Sequence, residues 1–171
     1  DWQSFTPTWG NFSGSLNASS FAMWRRVGDS MEIQFDARIS SFTSMGALNL
    51  TIPGGYTFNS TYKGDGTATD FGHVTYYDDS SNVLYNGKIT ANSSTFTQLD
   101  LYAVTGTAGN AVSSTFPFTW ANSDRWSGFC RIPISQWSSS NFQSADRAVE
   151  LFAYNTTVTD ATDTTSFGYG P

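Results

Sequence analysis

Met31-Glu-Ile-Gln-Phe-Asp-Ala-Arg-Ile39 decides the fold class. Successive side chains of an extended chain point to opposite faces. Met31, Ile33, Phe35, Ala37 and Ile39 therefore share one side, with Glu32, Gln34, Asp36 and Arg38 on the other. Nine residues of unbroken alternation predict a strand with one buried and one wet face. Just upstream, Phe21–Val27 predicts a second strand. Between the two, Gly28-Asp29 supplies the turn chemistry of a hairpin.

The same punctuation recurs in both directions. Leu48, Leu50 and Ile52 alternate and stop at Pro53-Gly54-Gly55, where proline removes a ladder donor and glycine permits reversal. Further strands are predicted at Phe71–Tyr77, Val83–Thr90, Phe96–Val104, Val112–Trp120, Ser127–Ile134 and Ala148–Tyr154. Asn86-Gly87, inside the second of these, reads as a hairpin turn. Helical periodicity is almost absent. Short strands separated by turn signals predict an all-β fold, an antiparallel β-sandwich or jelly roll, as a single domain over 1–171.

Composition narrows the function. The chain has 171 residues, 16% of them aromatic and only 13% charged, so it has ample surface to bury and is not disordered. Ser and Thr, 46 residues together, make the polar surface mostly hydroxyl. No stretch approaches the roughly 18 apolar residues of a membrane span, and no membrane insertion is expected. A net charge of −6 excludes nucleic-acid binding, which needs clustered cations to displace counterions. Arg25-Arg26, the nearest thing to such a cluster, points its two charges to opposite faces of a strand. One cysteine, Cys130, excludes an internal disulfide framework and reads as an inert core thiol. The chain begins at Asp1 without an initiator Met and reads as processed or excised from something longer.

Candidate chemistry is sparse. Gly28-Asp29-Ser30 with Asp70-Phe71-Gly72-His73 resembles the outer blocks of GDS-type esterases, and His73 is the sole histidine. That architecture is α/β, however, and Ser30 is better explained by the hairpin. The two glutamates, Glu32 and Glu150, lie on strand faces, and no spacing marks a glycosidase pair. No catalytic residue and no cofactor is predicted, and the chain is read as a non-enzyme. Asp78-Asp79, Asp65 with Asp70, and Asp160 with Asp163 are oxygen-rich loops of the kind that suits calcium. None matches an EF-hand loop, and no metal site is predicted. Six Asn-x-Ser/Thr sequons, at Asn11, Asn17, Asn49, Asn59, Asn92 and Asn155, read as turn and strand-surface residues in a chain this rich in hydroxyls.

The aromatic residues say more. Tyr76-Tyr77-Asp78-Asp79 sets two neighbouring rings before an acidic turn, so one ring should face outward. Trp120-Ala-Asn-Ser-Asp-Arg-Trp126 places two indoles around a loop carrying Asn122 and Asp124. Ring faces beside Asp and Asn acceptors suit a sugar, whose C–H face stacks while its hydroxyls hydrogen-bond. Tyr76, Tyr77, Asp78, Asp79, Trp120, Asn122, Asp124 and Trp126 are the candidate carbohydrate-binding residues. The competing reading is that these rings anchor loops on the core.

Five phrases carry a family resemblance. Trp24-Arg-Arg-Val-Gly-Asp-Ser-Met-Glu-Ile-Gln34 resembles the "WRRVGDSMEIQ" segment of tail-fibre and virion structural proteins of tailed bacteriophages. Phe5-Thr-Pro-Thr-Trp9 resembles their "YTPTW" opening, and Leu50-Thr-Ile-Pro-Gly-Gly55 their "LPSGL" turn. Ile132-Pro-Ile-Ser-Gln-Trp-Ser138 is similar to "PIxxWS", and Ala161-Thr-Asp-Thr-Thr-Ser-Phe-Gly-Tyr-Gly-Pro171 to a "DDTTSFxYGP" ending. The resemblance implies a β-sandwich module on the surface of a virion, as a tail-fibre, head-fibre or decoration protein. It brings no fixed catalytic residues, and longer relatives continue past the last phrase. It also implies contact with other virion proteins and a homo-oligomer, with a trimer expected by analogy with fibres. Together with the loop aromatics, it leads to attachment to a host-surface polysaccharide as the expected function. A purely structural capsid or tail protein is the competing expectation, and a glycan-degrading or de-acetylating hydrolase the remote one.

Overall fold

The apolar alternation that starts at Met31 changes phase before Leu48, yet the strand does not end there. In a computed structural model, which describes residues 1–63, 69–92, 94–106 and 108–138, Ser30–Thr51 is one strand of 22 residues, here β4. The strands expected at Met31–Ile39 and around Leu48–Ile52 are therefore one. Straight, it would span roughly 70 Å at 3.3 Å per residue. Instead it bends: its pairing with Trp9–Leu16 (β2) slips register between Gly10 and Phe12, between Ser13 and Gly14, and again between Ser15 and Leu16. Bulges of this kind sharpen twist and turn a strand's direction.

Because β4 bends, its halves serve different neighbours. Gln3–Ser4 (β1) and Phe21–Val27 (β3) precede it, and Gly72–Asp78 (β5), Val83–Ala91 (β6), Gln98–Thr105 (β7), Ala108–Ala111 (β8) and Arg125–Pro133 (β9) follow. Residues 30–38 of β4 lie between β3 and β9. Its last residues lie between β2 and β7, with Asn49, Leu50 and Thr51 opposite Asp100, Leu99 and Gln98. The path β4–β9–β5–β6–β7 thus returns to β4 and closes a ring, every pairing antiparallel. The all-β antiparallel expectation holds, with the layers joined into one rolled sheet. These elements form one compact unit, Asp1–Trp137. The predicted strand Ala148–Tyr154 and the "DDTTSFxYGP"-like ending lie outside the described residues.

Val27 and Ser30 face each other across Gly28-Asp29, and Gly28 has φ 65°, so the predicted two-residue hairpin is present. Asn86-Gly87 is not a turn. It lies in the middle of β6, opposite Thr75 and Val74. A Cβ on Gly87 would fall 2.2 Å from the Tyr102 carbonyl oxygen and 2.7 Å from the Tyr76 ring. Gly87 is therefore there for close approach, not for reversal. The β5–β6 hairpin turns instead at Asp79–Asn82. Val112–Trp120 is largely turn, with one isolated bridge between Ser113 and Phe116. Pro117, which has no N–H to donate, interrupts any ladder there. Its apolar residues Val112, Phe118 and Trp120 nonetheless reach the core.

Inside the ring, rings of another kind fill the space. Trp126 packs edge-on against Trp9 at 5.2 Å and Trp120 at 5.8 Å, and Trp120 against Tyr76 at 5.9 Å. Met31, Ile33, Phe35, Ala37 and Ile39 are all buried, as their alternation requires. Cys130 is buried with them, and burial pushes its thiol up to about 12, so it is protonated and inert at neutral pH.

Candidate functional site

The two aromatic–acidic segments do meet in space, at the corner where β5 ends and β9 begins. The Asp79 N–H donates to Asp124 Oδ1 at 2.9 Å, and the Arg125 guanidinium lies 4.6 Å over the Tyr77 ring. However, strand alternation sends most of their rings inward. Tyr76 and Trp126 are opposite each other in the β5–β9 ladder, and both are 0% exposed. Trp120 packs between them and is also buried. Tyr76, Trp120 and Trp126 are core residues and present no ring face to a sugar. Tyr77 is the one outward ring of the eight expected residues, and it is already under Arg125.

The polar members are equally occupied. Asp78 accepts from both the N–H and the hydroxyl of Ser80 (3.0 and 2.7 Å) and of Ser81 (3.2 and 2.7 Å). The Ser81 and Ser80 hydroxyls hold its carboxyl below the usual carboxylate range. Asp124 accepts from the N–H groups of Asp79 and Ala121 and is buried; desolvation pushes its carboxyl above the usual range despite those bonds. Asn122 Oδ1 accepts from the Phe42 N–H at 2.8 Å and ties the loop to β4. Tyr77 donates to Asn82 Oδ1 at 2.6 Å, and Asp79 lies 3.9 Å from Arg38. The corner is a set of loop anchors.

The calcium and esterase readings also meet the geometry. Among the described residues no group of three His, Cys, Asp or Glu side chains is arranged to hold a metal ion. Asp70 accepts from the Gly72 N–H as a turn residue; Asp65, Asp160 and Asp163 lie outside the described residues. Ser30 is opposite Pro133 and His73 opposite Phe129. That separates the two by about 13 Å along the strands and a further two strand spacings across. Ser30 Oγ instead donates to Asp29 at 3.3 Å.

A different surface has free chemistry: the outer face of β3, β4, β9 and β5. Register places Gln34, Phe129 and His73 in one row across three strands, and Asp36, Ser127 and Thr75 in the next, with Phe21 beside Asp36. Ser127 and Thr75 are short, while Phe21, Gln34, Phe129 and His73 stand taller around them. The result is a groove of about 400 Å³, within the range of small-ligand sites. The Phe129 and His73 rings lie 6.5 Å apart, tilted by 36°, and Phe21 is 43% exposed. The wet half of the Met31–Ile39 alternation names Gln34 and Asp36 from sequence. Their neighbours depend on strand order and register, which no local pattern encodes.

No family model matches the chain, and no curated protein matches it. Among solved structures, it is similar to the Dettilon tailspike protein, with a TM-score of 0.52 and 21% identity over 79% of this chain and 24% of that one. The chain spans about a quarter of that tailspike's length. Among the described residues no helix is long and apolar enough to cross a membrane. The antiparallel β-fold built here is thus shared with part of a phage tailspike.

Proposed function

We propose that this chain is a structural module of a tailed-phage virion, non-enzymatic, located on the particle surface, and that it attaches the particle to a host-surface polysaccharide. The observation that supports this most is the fold likeness to a tailspike, and the five phrases from Phe5 to Pro171 point the same way. The outer surface suits such contact: it is rich in hydroxyls, low in charge, and carries partly exposed rings. A single sugar site would be weak, so attachment would rely on several copies engaging one surface together. A homotrimer fixed to other virion proteins would present them so.

The test is retention of the full chain on immobilised polysaccharide from the host surface. Attachment predicts retention that soluble polysaccharide competes away, with light scattering showing a trimer. A purely structural module, the second reading, predicts a stable oligomer with no retention. Burial of Tyr76, Trp120 and Trp126 favours that alternative, because it removes the loop aromatics as sugar contacts. Release of reducing ends or acetate during the assay would overturn the non-enzymatic part.

A further inference from the structure

We infer that the groove on the outer face of β3, β4, β9 and β5 is a binding site for a neutral saccharide. This rests on the attachment reading above and moves its contact from the loop corner to the sheet face. The argument begins with hydrogen bonding. Elsewhere on the surface some outward polar side chains pair with one another: Arg25 with Glu32 at 2.7 Å, Ser15 with Ser40 and Ser41, Tyr77 with Asn82. In the groove, the side chains of Gln34, Asp36, His73, Thr75 and Ser127 bond to no protein group among the described residues. Five adjacent polar groups on three neighbouring strands are left to solvent, or to a ligand.

The chemistry of these groups selects the ligand. Serine, threonine and glutamine each donate and accept, and an aspartate accepts. A sugar hydroxyl does both, and a pyranose also offers an apolar C–H face. Phe129 and Phe21 supply ring surface for that face at the side and end of the groove. Asp36 is the only Asp or Glu in the lining and no Lys or Arg lines it, so a phosphate or uronate would meet the Asp36 carboxylate without a basic side chain to offset it. A peptide strand would need an unpaired sheet edge, whereas β4, β9 and β5, which carry the polar groups, are each paired on both sides. Two rows across three strands cover roughly 10 by 7 Å, which accommodates one or two sugar rings.

The experiment is an amide chemical-shift titration of the full chain with neutral hexaoses of glucose, mannose and galactose. The expected result is shifts at Gln34, Asp36, Thr75, Ser127 and Phe129 for at least one of them. Phe129→Ala should weaken that binding about tenfold, and Ser127→Tyr, which fills the groove, should abolish it. If a saccharide binds both variants as tightly as the parent, or shifts only the Tyr77–Arg125 corner, the groove inference fails and attachment stands. If neither the hexaoses nor the host polysaccharide binds the parent chain, both fail.

Discussion

The corner at Tyr77–Asp79 and the groove at Gln34–Thr75 hold similar residue types in opposite states. At the corner Asp78, Asp124 and Asn122 have each taken protein donors: Asp78 four from two serines, Asp124 two backbone N–H groups, Asn122 one. In the groove none has. The corner looks functional in sequence because its residues fall in two short segments, but the fold has already used them as anchors: Asp78 holds Ser80 and Ser81 beside it, Asp124 holds Ala121 and the distant Asp79, and Asn122 holds Phe42 of β4. The groove draws its residues from four strands, too far apart in sequence to form turns, and they stay open. Closeness along the chain does not distinguish polar groups that the fold has already used from those it leaves open.

The largest effect should come from the foundation of the corner. Trp126→Ala removes an indole packed against Trp9, Phe12 and Trp120 and should cost about 3–5 kcal/mol in urea unfolding. A loss under about 1 kcal/mol, the scale of an ordinary surface change, would mean that this ring is not core and would reopen the corner as a binding site. Asp78→Asn should cost about 1–2 kcal/mol at neutral pH, since it weakens bonds accepted from two hydroxyls and two N–H groups. Its pH dependence has a definite sign. The folded carboxyl titrates below the unfolded one, so its stabilisation is present above the ordinary carboxylate range and is lost as pH falls through the folded value. The gap between parent and variant should therefore narrow below about pH 4; a gap constant with pH would remove charge from the account. The smallest effect belongs to the groove. Gln34→Ala and Ser127→Ala should each change stability by less than about 0.5 kcal/mol, because neither side chain holds anything. A substantial loss in either would show that the groove, like the corner, is structural.

The fold was largely legible, and for local reasons. Met31–Ile39 alternates without interruption, Phe21–Val27 is bounded by a true turn dipeptide, and Pro53 stops a strand as expected. Failures came where a residue type has two uses. Gly87 reads as a turn glycine but is a contact glycine beneath Tyr102 and Tyr76. Trp9–Leu16 carries no strand pattern in sequence because Gly10, Asn11 and Gly14 mask it, although Trp9 packs on the core. The candidate site was less legible. Neighbouring tyrosines promise one ring outside, and Tyr77 supplies it, but nothing local shows that Arg125 already covers it. That Trp126 turns inward opposite Tyr76 depends on the register of β5 against β9, a non-local fact.

The closure of the sheet also has a consequence in time. Residues 30–51 of β4 are made early, but the segments that flank them on the other edge, 98–100 and 125–133, emerge up to 82 residues later. At about 5–20 residues per second, the ribosome leaves that edge uncovered for roughly 4–16 s. During this interval the first third of the chain is an open template on which a nascent neighbour can add a strand. Its ease of production will therefore depend on synthesis rate and on chaperones that shield this edge.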